Sequence, residues 1–534
     1  MSLKPQTPYA IPSETVRVAE AAFPNGNRYV QMRDTFGDLY ADEAFANLFP
    51  PRGQPAESPA RLALITVMQF AEGLSDRQTA EAVRSRIDWK YALGLELTDP
   101  GFDASVLSEF RGRLIAHQAE QLLFETLLTR LRAAGLVKAR GAQRTDSTHV
   151  LAAIQTLNRL ELVGETLRHA LDTLAVADPS WLRAQAPAEW FERYGRSWAL
   201  SRLPAGQAER TALAETIGAD GRHLLTALWA SETPSGLRQL PAVEVLRRVW
   251  VQQFYIEGDR LEWRTAGNLP SAGVAICSPH DAEARYSQKR QTEWVGYKVH
   301  LTETCDDDSP HLITDVQTTL APEADFNLLP TIQADLAARD LLPADHLVDA
   351  GYVSAEQLVT SQHQHQVNVL GPVHPDPTWQ AKAQQGFDVA AFVMDWETHT
   401  SLCPQGRRST VWVLGRDQHG KDVFHVRFRK SDCQSCCARE RCTQAASEPR
   451  KLTIRTQESH EALQAARRRQ TTEAFKAAYA AQSGIEGTLS QGIRVSDLRR
   501  SRYIGLAKTH LHHLLTATAL TCTGRTSPAR RSAC

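Results

Sequence analysis

Cysteine is scarce in this chain, with nine among 534 residues. Five of the nine fall between Cys403 and Cys442, which excludes a disulfide framework spread over the whole length. No apolar run reaches the length that crosses a bilayer. No secretory apolar region opens the chain, because Pro5, Pro8, Pro12 and Glu14 interrupt it. A soluble, cytoplasmic protein with no membrane partner is therefore expected. Excess charge of one sign is also missing: Lys+Arg 60 against Asp+Glu 61 gives a formal net charge of −1. This excludes attachment to a polyanion by bulk charge but leaves room for local basic faces. Such stretches stand at residues 467–469, 499–502 and 525–531.

A chain this long predicts about two to four folding units. Hydrophobic residues at 42% and charged residues at 23% suit a globular protein. Residues 1–54 are punctuated by proline and read as an N-terminal arm. Residues 55–138 read as helical: Leu62, Ile65, Val67, Met68 and Phe70 recur at helical spacing, and Gly73 breaks the run. Ser75 and Gln78 then form the pattern of a capping box. Helix, glycine turn, helix is the outline of a DNA-reading helix-turn-helix and equally of a plain helical bundle. Further helices fit 105–117 and 119–134.

Arg144 to Val150 is short, polar and β-branched, which predicts a strand. Residues 155–274 form a helical insert, with a leucine stripe and five tryptophans (Trp181 to Trp250) assigned to its core. Strands alternate over 297–302 and 311–316 around a turn at 306–310, which is a hairpin pattern. A helix over 328–339, a strand over 346–348, a helix over 355–363 and a strand over 367–370 follow. Hairpin strands succeeded by alternating helix and strand predict a mixed α/β sheet covered by helices. It would be assembled from residues 139–154, 275–374 and 470–522. A cysteine-containing insert occupies 375–469, helices are expected over 461–481 and 503–520, and a basic tail closes the chain at 523–534.

Three acidic residues stand in distinctive settings: Asp146 in Arg-Thr-Asp-Ser-Thr-His, Asp349 in Val-Asp-Ala-Gly-Tyr, and Glu486 in Gly-Ile-Glu-Gly-Thr. Taken singly, Asp349 suits a turn before Ala-Gly and Asp146 a local Asx turn. Together, two aspartates at strand ends and a glutamate beside a basic stretch can cage two hard cations, which activate water against a phosphodiester. Ser147 and His149 lack the Gly-x-Ser-x-Gly elbow of a serine hydrolase.

These segments, with Trp294-Val-Gly-Tyr-Lys-Val-His-Leu301 and Arg502-Tyr-Ile-Gly-Leu-Ala-Lys508, lie in the order found in bacterial insertion-sequence DDE transposases. The chain resembles the insertion sequence 1182 family over most of its length. The resemblance implies an RNase H-like core preceded by an all-α domain for DNA binding or dimerisation. Asp146, Asp349 and Glu486 would be its triad, binding two Mg²⁺ (or Mn²⁺) ions. The activity implied is cleavage and strand transfer at terminal inverted repeats, with target DNA as second substrate, by a homodimer in the bacterial nucleoid. Endonuclease action without strand transfer and an inactive DNA-binding derivative are the alternatives. Related enzymes carry a Tyr-x2-Arg-x3-Glu-x6-Lys signature. Here Tyr479 and Glu486 match it, Gln482 replaces the arginine, and Ile493 takes the lysine position with Arg494 beside it.

Phosphate contacts are assigned to Tyr479, Arg494, Arg499, Arg500, Arg502 and Lys508; the alternative is helix packing for Tyr479 and a solvated basic face for the others. Cys403, Cys433, Cys436 and Cys442 have the makings of a structural Zn²⁺ site. Cys437 can stand in for Cys436, and a set of incidental thiols is the other reading.

Overall fold

The structure is a computed structural model and describes residues 2–5, 9–198, 202–383, 386–418 and 420–522. The basic tail lies outside the described residues. Six strands form the central mixed sheet: β1 (Ala142–Leu151), β2 (Arg285–Lys289), β3 (Thr292–Thr304), β4 (Ile313–Leu320), β5 (Asp345–Val348) and β6 (Asn368–Leu370). Their order is β4–β3–β1–β5–β6, with β2 pairing the first part of β3. β1 runs antiparallel to β3 and parallel to β5, and β5 runs parallel to β6. Gly296 of long β3 crosses the end of β1 so closely that any Cβ there would strike the Val150 carbonyl. The sequence missed β2, whose Arg285-Tyr-Ser-Gln-Lys289 has no clean alternation.

Asp146 does not end a strand, as the sequence suggested. It is the fifth residue of β1, which runs on to Leu151 because β3 is long enough to pair with it throughout. The hairpin, the helices near 328–339 and 355–363 and the two short parallel strands lie where periodicity placed them. The expected helix over 461–481 is broken into Gln457–Arg469 and Glu473–Tyr479. Thr472 caps the second piece by accepting the Phe475 N–H at 3.2 Å.

Residues 13–48 hold helices Ser13–Ala22 and Arg28–Phe36 and a 3-10 turn at Asp42–Leu48, so they are no loose arm. Tyr29, Met32 and Phe45 enter the same apolar core as the sheet. The reason lies in helix Pro59–Glu72, which is apolar on nearly every side and has to be enclosed. The N-terminal helices and the C-terminal helix Leu506–Cys522 are part of that enclosing core. Gly73 ends the buried helix in the left-handed conformation, and the Ser75–Gln78 capping box starts the next.

Among the described residues, the two larger of the remaining cores stand apart from it. One lies among the helices between Arg159 and Gln253, closed by a small hairpin (Phe254–Glu257 with Arg260–Trp263). The other lies under a three-stranded antiparallel sheet of Ser409–Arg416, Asp422–Phe428 and Lys451–Arg455. No helix among the described residues is long and apolar enough to cross a membrane.

Candidate active site

Parallel pairing of β1 with β5 sets Thr145 opposite Val348, so Asp146 and Asp349 are the next residues along two neighbouring strands. Each carboxylate accepts the backbone N–H that follows it, Ser147 or Ala350, at 2.7 Å. Half-buried Asp146 has its carboxyl pushed up to about 6, first by desolvation and also by the charge of Asp349. The Ser147 amide and Lys289 pull the other way.

Motif residues support this pair from below. Tyr352 is buried and shares a 2.6 Å hydrogen bond with His300 Nδ1. His300 is held neutral by burial, with its pKa lowered to about 3. Lys298, two residues earlier on the same strand, pairs with Asp325 at 2.6 Å. Trp294 packs its ring 5.5 Å from His149. Lys289, Lys298, His300, Asp325 and Tyr352 were not singled out from the sequence as site residues. The signal available was polar Lys298 and His300 alternating with Tyr297, Val299 and Leu301.

Glu486 lies in the first turn of helix Gly484–Ser496 and is exposed. The structure does not gather it with the aspartates: among the described residues, no group of three His, Cys, Asp or Glu side chains is placed to hold a metal ion. What the fold does secure is the helix that carries it. Arg144, two residues before Asp146, forms a buried pair with Glu303, its Nε donating at 2.7 Å, and its Nη1 donates to the Ala481 carbonyl. Thr488 on the helix donates to the other Glu303 oxygen at 2.6 Å. Gly484 lies so close over the Arg144 guanidinium that a Cβ there would collide with it. Gln482 is buried, and its amide donates to the Thr145 carbonyl at 2.9 Å. It therefore positions β1 and does not meet solvent.

Tyr479 donates to the Val348 carbonyl at 3.3 Å and stacks on Phe475. Burial, then Asp349 and Asp146, push its hydroxyl up to about 12. Arg499 donates to Thr148 Oγ1 at 2.9 Å, while segment 499–501 pairs its backbone with Leu151. Arg494, Arg500 and Lys508 are exposed. Arg502 is partly committed elsewhere: it donates to the Leu74 carbonyl at 3.2 Å and lies over the Phe70 ring, closing the end of helix Pro59–Glu72.

Away from this centre, Cys403, Cys433, Cys436 and Cys442 line one cavity of about 30 Å³. All four thiols are free. Cys403 sits in a tight turn where the Arg407 N–H donates to its sulfur at 3.4 Å. Burial raises the Cys442 thiol to about 11; Arg450 opposes this, and the other three cysteines add to it. Cys437 is exposed and does not line the cavity.

Two family models match this chain. Residues 402–521 match a Transposase DDE domain, and residues 17–113 match a Transposase domain (DUF772). The pair marks the chain as an insertion-sequence DDE transposase. No curated protein matches it. The DDE match contains Glu486, Tyr479, the four cavity cysteines and the basic segment, while Asp146 and Asp349 lie between the two matched regions. A DDE domain implies polynucleotidyl transferase or nuclease chemistry on DNA with divalent metal ions.

Proposed function

We propose that the transposase cuts DNA at the terminal inverted repeats of its own element and joins the freed 3′ ends to target DNA. The sheet serves as an RNase H-like core, and the chain falls in the insertion sequence 1182 family. The observation that carries this reading is the placement of Asp146 and Asp349 side by side on parallel neighbours. Ligands of open α/β sheets bind beyond the carboxyl ends of strands, where Asp349 stands. An all-oxygen donor pair fits a hard cation such as Mg²⁺, with Mn²⁺ able to substitute. Bound there, two such ions supply activation of the attacking water or 3′-OH and neutralisation of the leaving oxygen.

The chain's own residues do the rest. Asp146 and Asp349 hold the reacting centre, and Glu486 completes it from the helix that Arg144 and Gln482 fasten to β1. Tyr479, Lys289, Arg494, Arg499, Arg500 and Lys508 hold phosphates on either side of the cut, with Arg502 contributing where its capping role leaves it free. Two ends must be synapsed, which calls for a homodimer working on the nucleoid in the cytoplasm. The N-terminal helices serve end binding or pairing of subunits.

The test is cleavage of a terminal-repeat duplex in Mg²⁺ by wild type and Asp349→Ala. Cleavage that persists in the variant removes Asp349 from the mechanism. Products longer than the substrate identify strand transfer, and their absence with intact cleavage reduces the enzyme to an endonuclease.

Cys403, Cys433, Cys436 and Cys442, whose thiols as placed do not form a ligating group, are the residues that would hold a structural Zn²⁺ stapling a module whose apolar core is small. Metal analysis of purified protein should find one zinc per chain, lost in Cys433→Ser and kept in Cys437→Ser. Equal zinc content in the two variants rules this site out.

A further inference from the structure

The three-stranded sheet beside the cysteine cavity has one mostly exposed face, with Val423 the buried side chain on it. Its inner face, carrying Trp412, Phe424, Val426, Phe428, Leu452 and Ile454, packs on Phe392 and neighbouring apolar side chains. Because successive side chains on a strand alternate between faces, the residues between these point outward. The register aligns them in three rows across the strands: Val411–Arg427–Lys451, Val413–His425–Thr453 and Gly415–Val423–Arg455. Arg427, Lys451, Arg455, His425 and Thr453 are exposed, and none of the nine positions carries a carboxylate.

Arg427 and Lys451 are direct cross-strand partners. Like charges at such positions repel, and a fold with nothing to place between them gains by changing one. Among the described residues only Lys451 of these has a counter-charge near it, Glu448 at 3.6 Å, in an exposed and therefore weak pair. The arrangement suits a ligand whose negative charges recur along a line. On the hairpin joining the first two strands, Lys421 forms an ion pair with Glu356, on helix Ala355–His365 shortly after Asp349. A single exposed ion pair thus links the module to a helix that follows Asp349.

We propose that this outward face is a DNA-contact surface, in which Arg427, Lys451 and Arg455 bind backbone phosphates of the duplex whose end lies at Asp146 and Asp349. The inference rests on the transposase reading and deepens it by naming a second contact region outside the acidic centre. Phosphate contacts of this kind carry affinity and salt dependence without sequence preference. Exposed Val411 and Val413, at 38% and 50% exposure, flank the basic row and bear against sugars.

The experiment measures the affinity of the full chain for a terminal-repeat duplex by fluorescence anisotropy at several salt concentrations. Wild type is compared with the triple variant Arg427→Ala, Lys451→Ala, Arg455→Ala. The expected result is weaker binding and a salt slope shallower by about 2–3, one unit or slightly less per lost contact. Circular dichroism and unchanged zinc content establish that the module is still folded. Identical affinity and slope overturn the inference. So does a change confined to the sedimentation behaviour, which would make the face a contact between copies of the chain. If wild type itself binds no DNA, the transposase reading fails first, and Asp349→Asn, expected to bind without cutting, separates that failure from this one.

Discussion

Removing Arg144 gives the most searching test of how the acidic centre is held. Its guanidinium is 4% exposed and its partner Glu303 is fully buried. In Arg144→Met, Glu303 keeps only the 2.6 Å hydrogen bond from Thr488. Breaking one member of a buried pair costs about 3–5 kcal/mol, because the remaining charge stays desolvated and unpaired. Replacing both members, as Arg144→Met with Glu303→Leu, removes that stranded charge. It should recover most of the loss and leave about 1–3 kcal/mol for the unpaired Ala481 carbonyl.

The signs with pH follow from Glu303. Burial already raises its carboxyl above the ordinary value, against the pull of Arg144 and Thr488. Without Arg144 it rises further, so the folded variant holds a proton that the unfolded chain releases. The penalty is therefore smallest below pH ~4.5 and grows toward pH 8. Urea unfolding followed by tryptophan fluorescence at pH 5 and pH 8 measures it. A single variant that loses under ~1 kcal/mol, a double variant no more stable than the single, or a pH-independent penalty would refute the reasoning.

Three other outcomes are expected. Gly484→Ala drives a methyl into the same guanidinium and should cost about 1–3 kcal/mol by overpacking, with a fall in cleavage that Ala at neighbouring exposed Gly487 does not produce. His300, His346 and His512 are buried, His510 is half-buried, and all four are neutral, with values lowered to about 3, 4, 3 and 4 respectively by desolvation. Groups so depressed stabilise fully above pH ~6.5 and lose that contribution as pH falls toward 4. At pH 5 each should cost about 2 kcal/mol, seen as a lower Tm than at pH 7.5. Since Asp146 holds its proton up to about 6, Ca²⁺ or Mg²⁺ affinity measured by calorimetry should drop as pH falls below 6, with proton release on binding; a flat profile removes Asp146 from the ligand set.

Local pattern was readable wherever a short stretch decides its own geometry. The capping box at Ser75 and Gln78, the hairpin over 297–316 and the short strand before Asp349 depend on neighbours within a few positions, and each was read from periodicity. The broken helix at 470–472 and the strand Arg285–Lys289 were not, because a threonine cap and a tertiary pairing overrode weak propensities. Gln482 shows the same limit at the site. It stands where the signature has an arginine, and its partner is the Thr145 carbonyl, more than three hundred residues away in the chain.

The sequence by itself singled out Asp146, Asp349 and Glu486 as candidates, and it determined where the cysteines concentrate and that the chain mixes helix with an alternating sheet. These follow from residue chemistry and from periods of two and 3.6, which are local. Only the tertiary structure decided that Asp146 stands beside Asp349, that Cys436 faces the shared cavity and Cys437 does not, and that Arg502 closes a helix. It also decided that Glu486 is carried on a helix fastened through Arg144, with its own side chain left exposed. Those facts rest on strand register and on buried charge pairs between distant segments, and such partners are chosen by the packing of the whole core.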